Sequence, residues 1–214
     1  MTATIVPPAP TTQAVPARRA ARPIPTTRLV KVELRKMFNT RSGFWMLISI
    51  GILSVVATGA VIIFAPDSSV TYESFATAIG LPMSVILPMI GILAVTSEWS
   101  QRSGLTTFTL VPSRGRVIGA KAIAAFVVGV GSMAVAFAVG ALGNLAGSAL
   151  AGVDTVWNIS LASAPQIVLG NLVGMAVGFT LGFVLRNSAA AIVGYFVVSL
   201  VLPGILVLLA QVRS

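Results

Sequence analysis

Five long apolar stretches without a single ionisable side chain constrain this sequence more than any other feature. They occupy residues 44–64, 75–96, 122–143, 166–185 and 189–210, and none holds Asp, Glu, Lys, Arg or His. Each is about 20 residues or longer, enough for a helix rising 1.5 Å per residue to cross a hydrocarbon core of about 30 Å. Barrel strands alternate over about ten residues, and these runs do not alternate. Lipid offers the backbone no hydrogen-bond partners, so each span must close its bonds within itself. The expected fold is all-α, a polytopic bundle of five transmembrane helices.

Only 9% of the 214 residues are charged, against about a quarter in soluble domains. A net charge of +9 would by itself suggest nucleic acid, but its placement says otherwise. Arg18, Arg19, Arg22, Arg28, Lys31, Arg35, Lys36 and Arg41 precede the first span, Arg102, Arg114, Arg116 and Lys121 fill the second connection, and Arg186 sits in the fourth. The first and third connections carry Asp67, Glu73 and Asp154 and no Lys or Arg. By the positive-inside rule the N-terminus is cytoplasmic and the C-terminus, after five spans, is outside. The partners implied are anionic lipid headgroups, with no nucleic acid. A composition rich in Ala, Val and Gly suits a bacterial cytoplasmic membrane.

Residues 1–27 hold six of the 12 prolines and bury too little apolar surface to order themselves, so they are expected to form a disordered cytoplasmic tail. They lack the apolar core of a signal peptide. Residues 28–43 follow as an amphipathic interfacial segment ahead of the transmembrane domain, 44–214. In its helix Val30, Leu34, Met37 and Phe38 share one side and Arg28, Lys31 and Arg35 the other. The plainer alternative is a juxtamembrane stop of positive charge. The weakly apolar 144–165 is expected as an external loop with a short surface helix at most, since Asp154 at a bilayer centre would cost about 2.5–3.5 kcal/mol. Its Asn158-Ile159-Ser160 is a glycosylation sequon of chance frequency.

The fourth span repeats glycine every four residues, at Gly170, Gly174, Gly178 and Gly182. Such a ridge lies on one helix face and admits a neighbouring backbone, either as a sliding contact or, more commonly, as static packing. Pro82 and Pro88 in the second span free carbonyls that neighbours or water must satisfy, as a hinge or as a fixed kink.

Much chemistry is excluded. The absence of His and Cys removes the commonest metal ligands and general base, and no carboxylate lies within a span to carry an ion or a catalytic proton. Gly115 to Lys121 imitates a phosphate loop but places its second glycine one position early and puts Ala122 where a hydroxyl would hold magnesium. The chain is therefore not expected to be an enzyme, nor to hold a cofactor. Uphill transport would draw its energy from a partner.

The connection 97–121 is the longest between the basic-side spans. It carries Glu98, Arg102, Gly104 and then Pro112-Ser113-Arg114, a turn that stops one helix and starts another, before Lys121. Alone, it is either a solvated basic loop or a docking element. With the amphipathic segment before the first span and Leu185-Arg186-Asn187-Ser188-Ala189 before the fifth, this order resembles the permease subunits of ABC-2 type transporters. The resemblance implies an exporter of a hydrophobic or amphipathic solute that pairs with a second permease, as a homodimer or with a related subunit. It also implies a cytoplasmic ATPase subunit that carries ATP and magnesium. Glu98, Arg102, Gly104, Pro112, Arg114 and Lys121 would then form the coupling segment, with Glu98 and Arg102 paired four apart to fix it against the ATPase. The family usually has six spans, so five mark a truncated or divergent form. The alternative is a non-transporting structural or regulatory integral membrane protein whose glycine ridge packs against another subunit.

Overall fold

A computed structural model describes residues 24–100, 113–159 and 163–213. Within them the chain is an all-α bundle. The helices are α1 (Thr26–Asn39), α2 (Arg41–Phe64), α3 (Tyr72–Ser100), α4 (Arg114–Ala151), α5 (Ser163–Leu185), α6 (Ser188–Phe196) and α7 (Leu202–Arg213), the last two joined through a π turn at Val197–Val201. Helices α2, α3, α4, α5 and the α6–α7 rod are each long and apolar enough to cross a membrane. The molecule is a multi-pass membrane protein with the five spans that its apolar stretches predict. The tail expected over 1–27 lies outside the described residues except at its end, where α1 starts two residues before the predicted segment.

Thr40 alone separates α1 from α2. Its backbone is extended and its hydroxyl accepts a hydrogen bond from the Gly43 N–H at 3.2 Å, ending one helix and capping the next. Leu34 and Met37 of α1 pack on the main core, whereas Phe38 is exposed. The apolar stripe read from the sequence is therefore narrower than expected.

Helix α3 is the centre of the bundle. Phe75, Met83, Leu87 and Ile92 are fully buried, and Ile79, Met83, Ile86, Leu87 and Ile90 form a core with Ile50, Ala125, Val128, Met133 and Met175. The α6–α7 rod is peripheral, and Leu200, Leu206 and Leu208 on it are exposed, as lipid-facing residues should be.

Two glycine contacts set the spacing between helices. A Cβ at Gly178 would lie 2.5 Å from the Pro88 carbonyl oxygen, and one at Gly182 would lie 3.0 Å from that of Ile92. The ridge in α5 thus lets the α3 backbone approach directly. Gly174 faces Pro88 and the Tyr195 hydroxyl, whereas a Cβ at Gly170 would meet nothing within 4 Å. Three of the four predicted packing glycines make the contact, and they make it within the chain.

Pro88 cannot donate to the carbonyl four residues earlier, that of Ser84. The Tyr195 hydroxyl of α6 donates to that oxygen at 3.0 Å. Near the end of α3, Ser188 donates to the Thr96 hydroxyl at 2.8 Å. The α6 segment is thereby stapled to α3 at two heights.

Helix α4 departs from the sequence reading. It spans 38 residues, about 57 Å at 1.5 Å per residue, and continues through 144–151 where a loop was expected. Its polar residues there face inward: Asn144 and Ser148 are buried, Asn144 Nδ2 donates to the Val156 carbonyl at 3.0 Å, and Gly147 packs against Phe75 and Val70. Polarity that would oppose burial in lipid is here buried in protein. Gly152, with φ of 66°, ends the helix, so Asp154 remains in the connection beyond. That connection is tied to α3 by Asn158, which accepts from the Glu73 N–H at 2.9 Å and donates to Glu73 Oε2 at 3.1 Å. The sequon asparagine is thus committed to a local clasp.

Candidate functional site

The basic end of the bundle is where charge and helix geometry converge. Helix α1 lies there against the ends of α3 and α4 and presents Glu33, a residue 8% exposed, inward. Its neighbours along the helix explain why: Val30 and Met37, at i−3 and i+4, share its face, and packing Met37 on the core carries the carboxylate in. Lone buried carboxylates are costly, so a counter-charge must meet it. Lys121, in the second turn of α4 and 4% exposed, places Nζ 2.6 Å from Glu33 Oε2 and 3.1 Å from Glu98 Oε1. Lys36 closes the ring, 2.7 Å from Glu33 Oε1 and 3.5 Å from Glu98 Oε1.

Two acids and two bases alternate, and their charges sum to zero. Burial by itself would lower the pKa of Lys36, but its bonds to Glu33 and the field of both carboxylates outweigh this and hold it above the ordinary lysine value. The four side chains come from α1, the last turns of α3 and the first turns of α4. They therefore clamp the two helices that flank the connection 101–112 to the helix that precedes the first span.

Beside the quartet is a cavity of about 260 Å³ between α3, α4 and α5, whose lining includes Glu98, Trp99, Arg114, Lys121, Phe183 and Arg186. The α5–α6 turn positions Arg186. It adopts φ of 52°, a left-handed conformation common just after a helix end, and its N–H donates to the Gly182 carbonyl at 3.0 Å. Asn187 then caps α6 by accepting from the Ala190 N–H at 3.1 Å. The outcome is a guanidinium 5.9 Å from the centre of the Trp99 ring. On the other flank, Arg116 donates to the Ile24 carbonyl and ties α4 to the start of α1.

Of the coupling residues expected from sequence, Glu98, Arg114 and Lys121 meet at this one place. Arg102, Gly104 and Pro112 lie outside the described residues. Glu98 is 7% exposed and turns toward Lys121 and Lys36, because a carboxylate beside an apolar α3–α4 contact is stabilised best by a counter-charge. Glu33, Lys36, Trp99 and Tyr195 were missed. The signal for Glu33 was present, as a single acid among Arg28, Lys31, Arg35 and Lys36 placed on the apolar rather than the basic face. Among the described residues no cluster of His, Cys, Asp or Glu could hold a metal ion.

Comparisons with protein-family models, with curated proteins and with solved structures find no match to this chain.

Proposed function

We propose that this chain is the permease subunit of an ABC-2 type exporter, moving a hydrophobic or amphipathic solute with ATP hydrolysed on a separate cytoplasmic subunit. The observation that supports the reading best is the ionic quartet. It joins α1 to α3 and α4 at the two points where the basic connection leaves and re-enters the bundle, so force applied to that connection is delivered to three helices together. The N-terminus is cytoplasmic in this reading and the C-terminus outside, an orientation that the alternation of basic and acidic connections supports. Glu98 and Lys121 act as positioning residues for the coupling segment, and Arg114 and the residues 101–112 meet the ATPase. A second permease, identical or related, completes the pathway, and ATP and magnesium are held by the ATPase.

The test is co-purification of the tagged full chain in mild detergent, with mass spectrometry of what accompanies it and an ATPase assay of the complex. Recovery of a soluble ATPase with vanadate-sensitive turnover is expected. Recovery of integral partners alone, with no nucleotide hydrolysis, would overturn the reading in favour of a structural or regulatory membrane protein.

A further inference from the structure

We infer that the cavity between α3, α4 and α5 at the basic end binds the headgroup of an anionic phospholipid. The inference requires only that this end lies at a membrane surface, and it stands or falls separately from the permease reading.

Charge gives the first argument. Glu33, Glu98, Lys36 and Lys121 pair with one another, while Arg186 brings a further positive charge to the lining. A phosphate is the anion that guanidinium groups match best, through paired N–H donors. The ammonium of a zwitterionic headgroup would meet those same cations unfavourably.

Shape gives the second. The remaining wall is largely apolar, with Trp99, Val117 and Phe183 among its members. A volume of about 260 Å³ falls below the 300–1,000 Å³ common for complete small ligands. It suits a headgroup and the first part of a chain, with the rest of the molecule outside. Phe183 lines the cavity and is 38% exposed, so the apolar wall reaches the molecular surface. A soluble organophosphate would gain nothing from that wall, whereas the chain of a lipid would.

Construction gives the third. Arg186 does not wave from a loop but is held by the left-handed turn, the Gly182 carbonyl and the Trp99 face. Because Glu98 and Lys121 belong both to the lining and to the quartet, occupancy of the cavity is linked to the docking of α1.

The full chain in nanodiscs of mixed phosphatidylglycerol and phosphatidylcholine, ejected and weighed by native mass spectrometry, tests this. The wild type is expected to retain phosphatidylglycerol in preference to phosphatidylcholine. Arg186→Gln should weaken that retention about fivefold, the effect of one basic residue at a membrane surface. Arg186→Asn, which keeps a residue tolerant of the left-handed turn, should do the same, so that a folding defect is separated from loss of the cation. Arg213→Gln, at the last residue of α7 and so at the opposite end of the bundle, should leave retention unchanged. Equal retention of the two lipids, or an equal loss in Arg213→Gln, would overturn the inference. Displacement of the lipid by millimolar inorganic phosphate would overturn it too, by showing that a free anion suffices.

Discussion

Lys121 Nζ lies 2.6 Å from Glu33 Oε2, an ion pair that closes 88 residues of chain between a helix outside the spans and the start of the third. Breaking one side of such a buried pair leaves a desolvated charge, at a cost of about 3–5 kcal/mol. Lys121→Met should therefore destabilise the bundle by about that amount, since Glu33 would lose its closest counter-charge. Glu33→Gln combined with Lys121→Met should recover part of the loss, and the double-mutant cycle in detergent unfolding measures the coupling. A single variant as stable as the wild type would mean that the pair contributes nothing.

Lys36 gives the clamp its pH dependence. Its folded pKa is raised above the ordinary value of 10.5 by the two carboxylates, despite the opposing effect of burial. A raised lysine pKa contributes stability that is complete below the unfolded value and is lost as pH climbs through the folded one. The chain has no cysteine, so spin labels can be placed on Val32→Cys and Ile123→Cys, both at exposed positions. The distance between them should hold from pH 7 to about 10 and lengthen above that range. Lys36→Met should abolish the Lys36-dependent part of that change, and an identical profile in the variant would remove Lys36 from the explanation.

Gly178 and Gly170 stand on the same periodic ridge yet should respond oppositely. An added methyl at Gly178 meets the backbone at Pro88, which has no flexible end to yield. Gly178→Ala is expected to cost about 1–3 kcal/mol, as overpacking does in closely fitted interiors. Gly170→Ala enters open space and should be neutral, or stabilising by up to about 1 kcal/mol through helix propensity. Thermal unfolding of the two purified variants decides the matter, and equal midpoints would count against the α3–α5 contact.

Tyr195→Phe removes one oxygen and should leave the Ser84 carbonyl, already deprived of its helical donor by Pro88, without its partner. Interhelical hydrogen bonds in membranes contribute about 0.6–1.7 kcal/mol, so a loss near 1 kcal/mol is expected. Faster amide exchange in the middle of α3 is the local sign to look for. Unchanged exchange would show that another group satisfies Ser84.

The spans were legible because lipid imposes its requirement on each segment separately: length and freedom from charge suffice, and residues 44–64 needed no knowledge of residues 122–143. The limits of that logic appear in α4. Asn144, Gly147 and Ser148 read as loop because hydropathy scores them against lipid, whereas Asn144 meets Val156, Gly147 meets Phe75 and Ser148 is buried with its hydroxyl donating to the Asn144 carbonyl. The quartet was illegible for a related reason. Glu98 and Lys121 stood out individually, but which acid meets which base depends on how α1 folds back beside α4, and no local spacing encodes a contact across 88 residues. Likewise Pro88 announced a freed carbonyl, and only the packing of α6 revealed that Tyr195 fills it.

The coupling role assigned to the quartet predicts an effect on function distinct from its effect on stability. Glu98→Gln keeps the size of the side chain and one acceptor, so the clamp is weakened without leaving a bare buried lysine, because Lys121 retains Glu33 at 2.6 Å. In the proposed exporter it should permit membrane insertion and recovery of the ATPase. Substrate-stimulated hydrolysis should nevertheless fall roughly five- to tenfold, the scale of an ordinary coupling free energy between sites. Insertion is read from the yield of monodisperse protein and coupling from the ratio of stimulated to basal hydrolysis. A variant with normal yield and normal stimulation would leave the quartet as a structural clamp alone, whereas normal yield with lost stimulation would place α1, α3 and α4 on the route by which nucleotide hydrolysis reaches the spans.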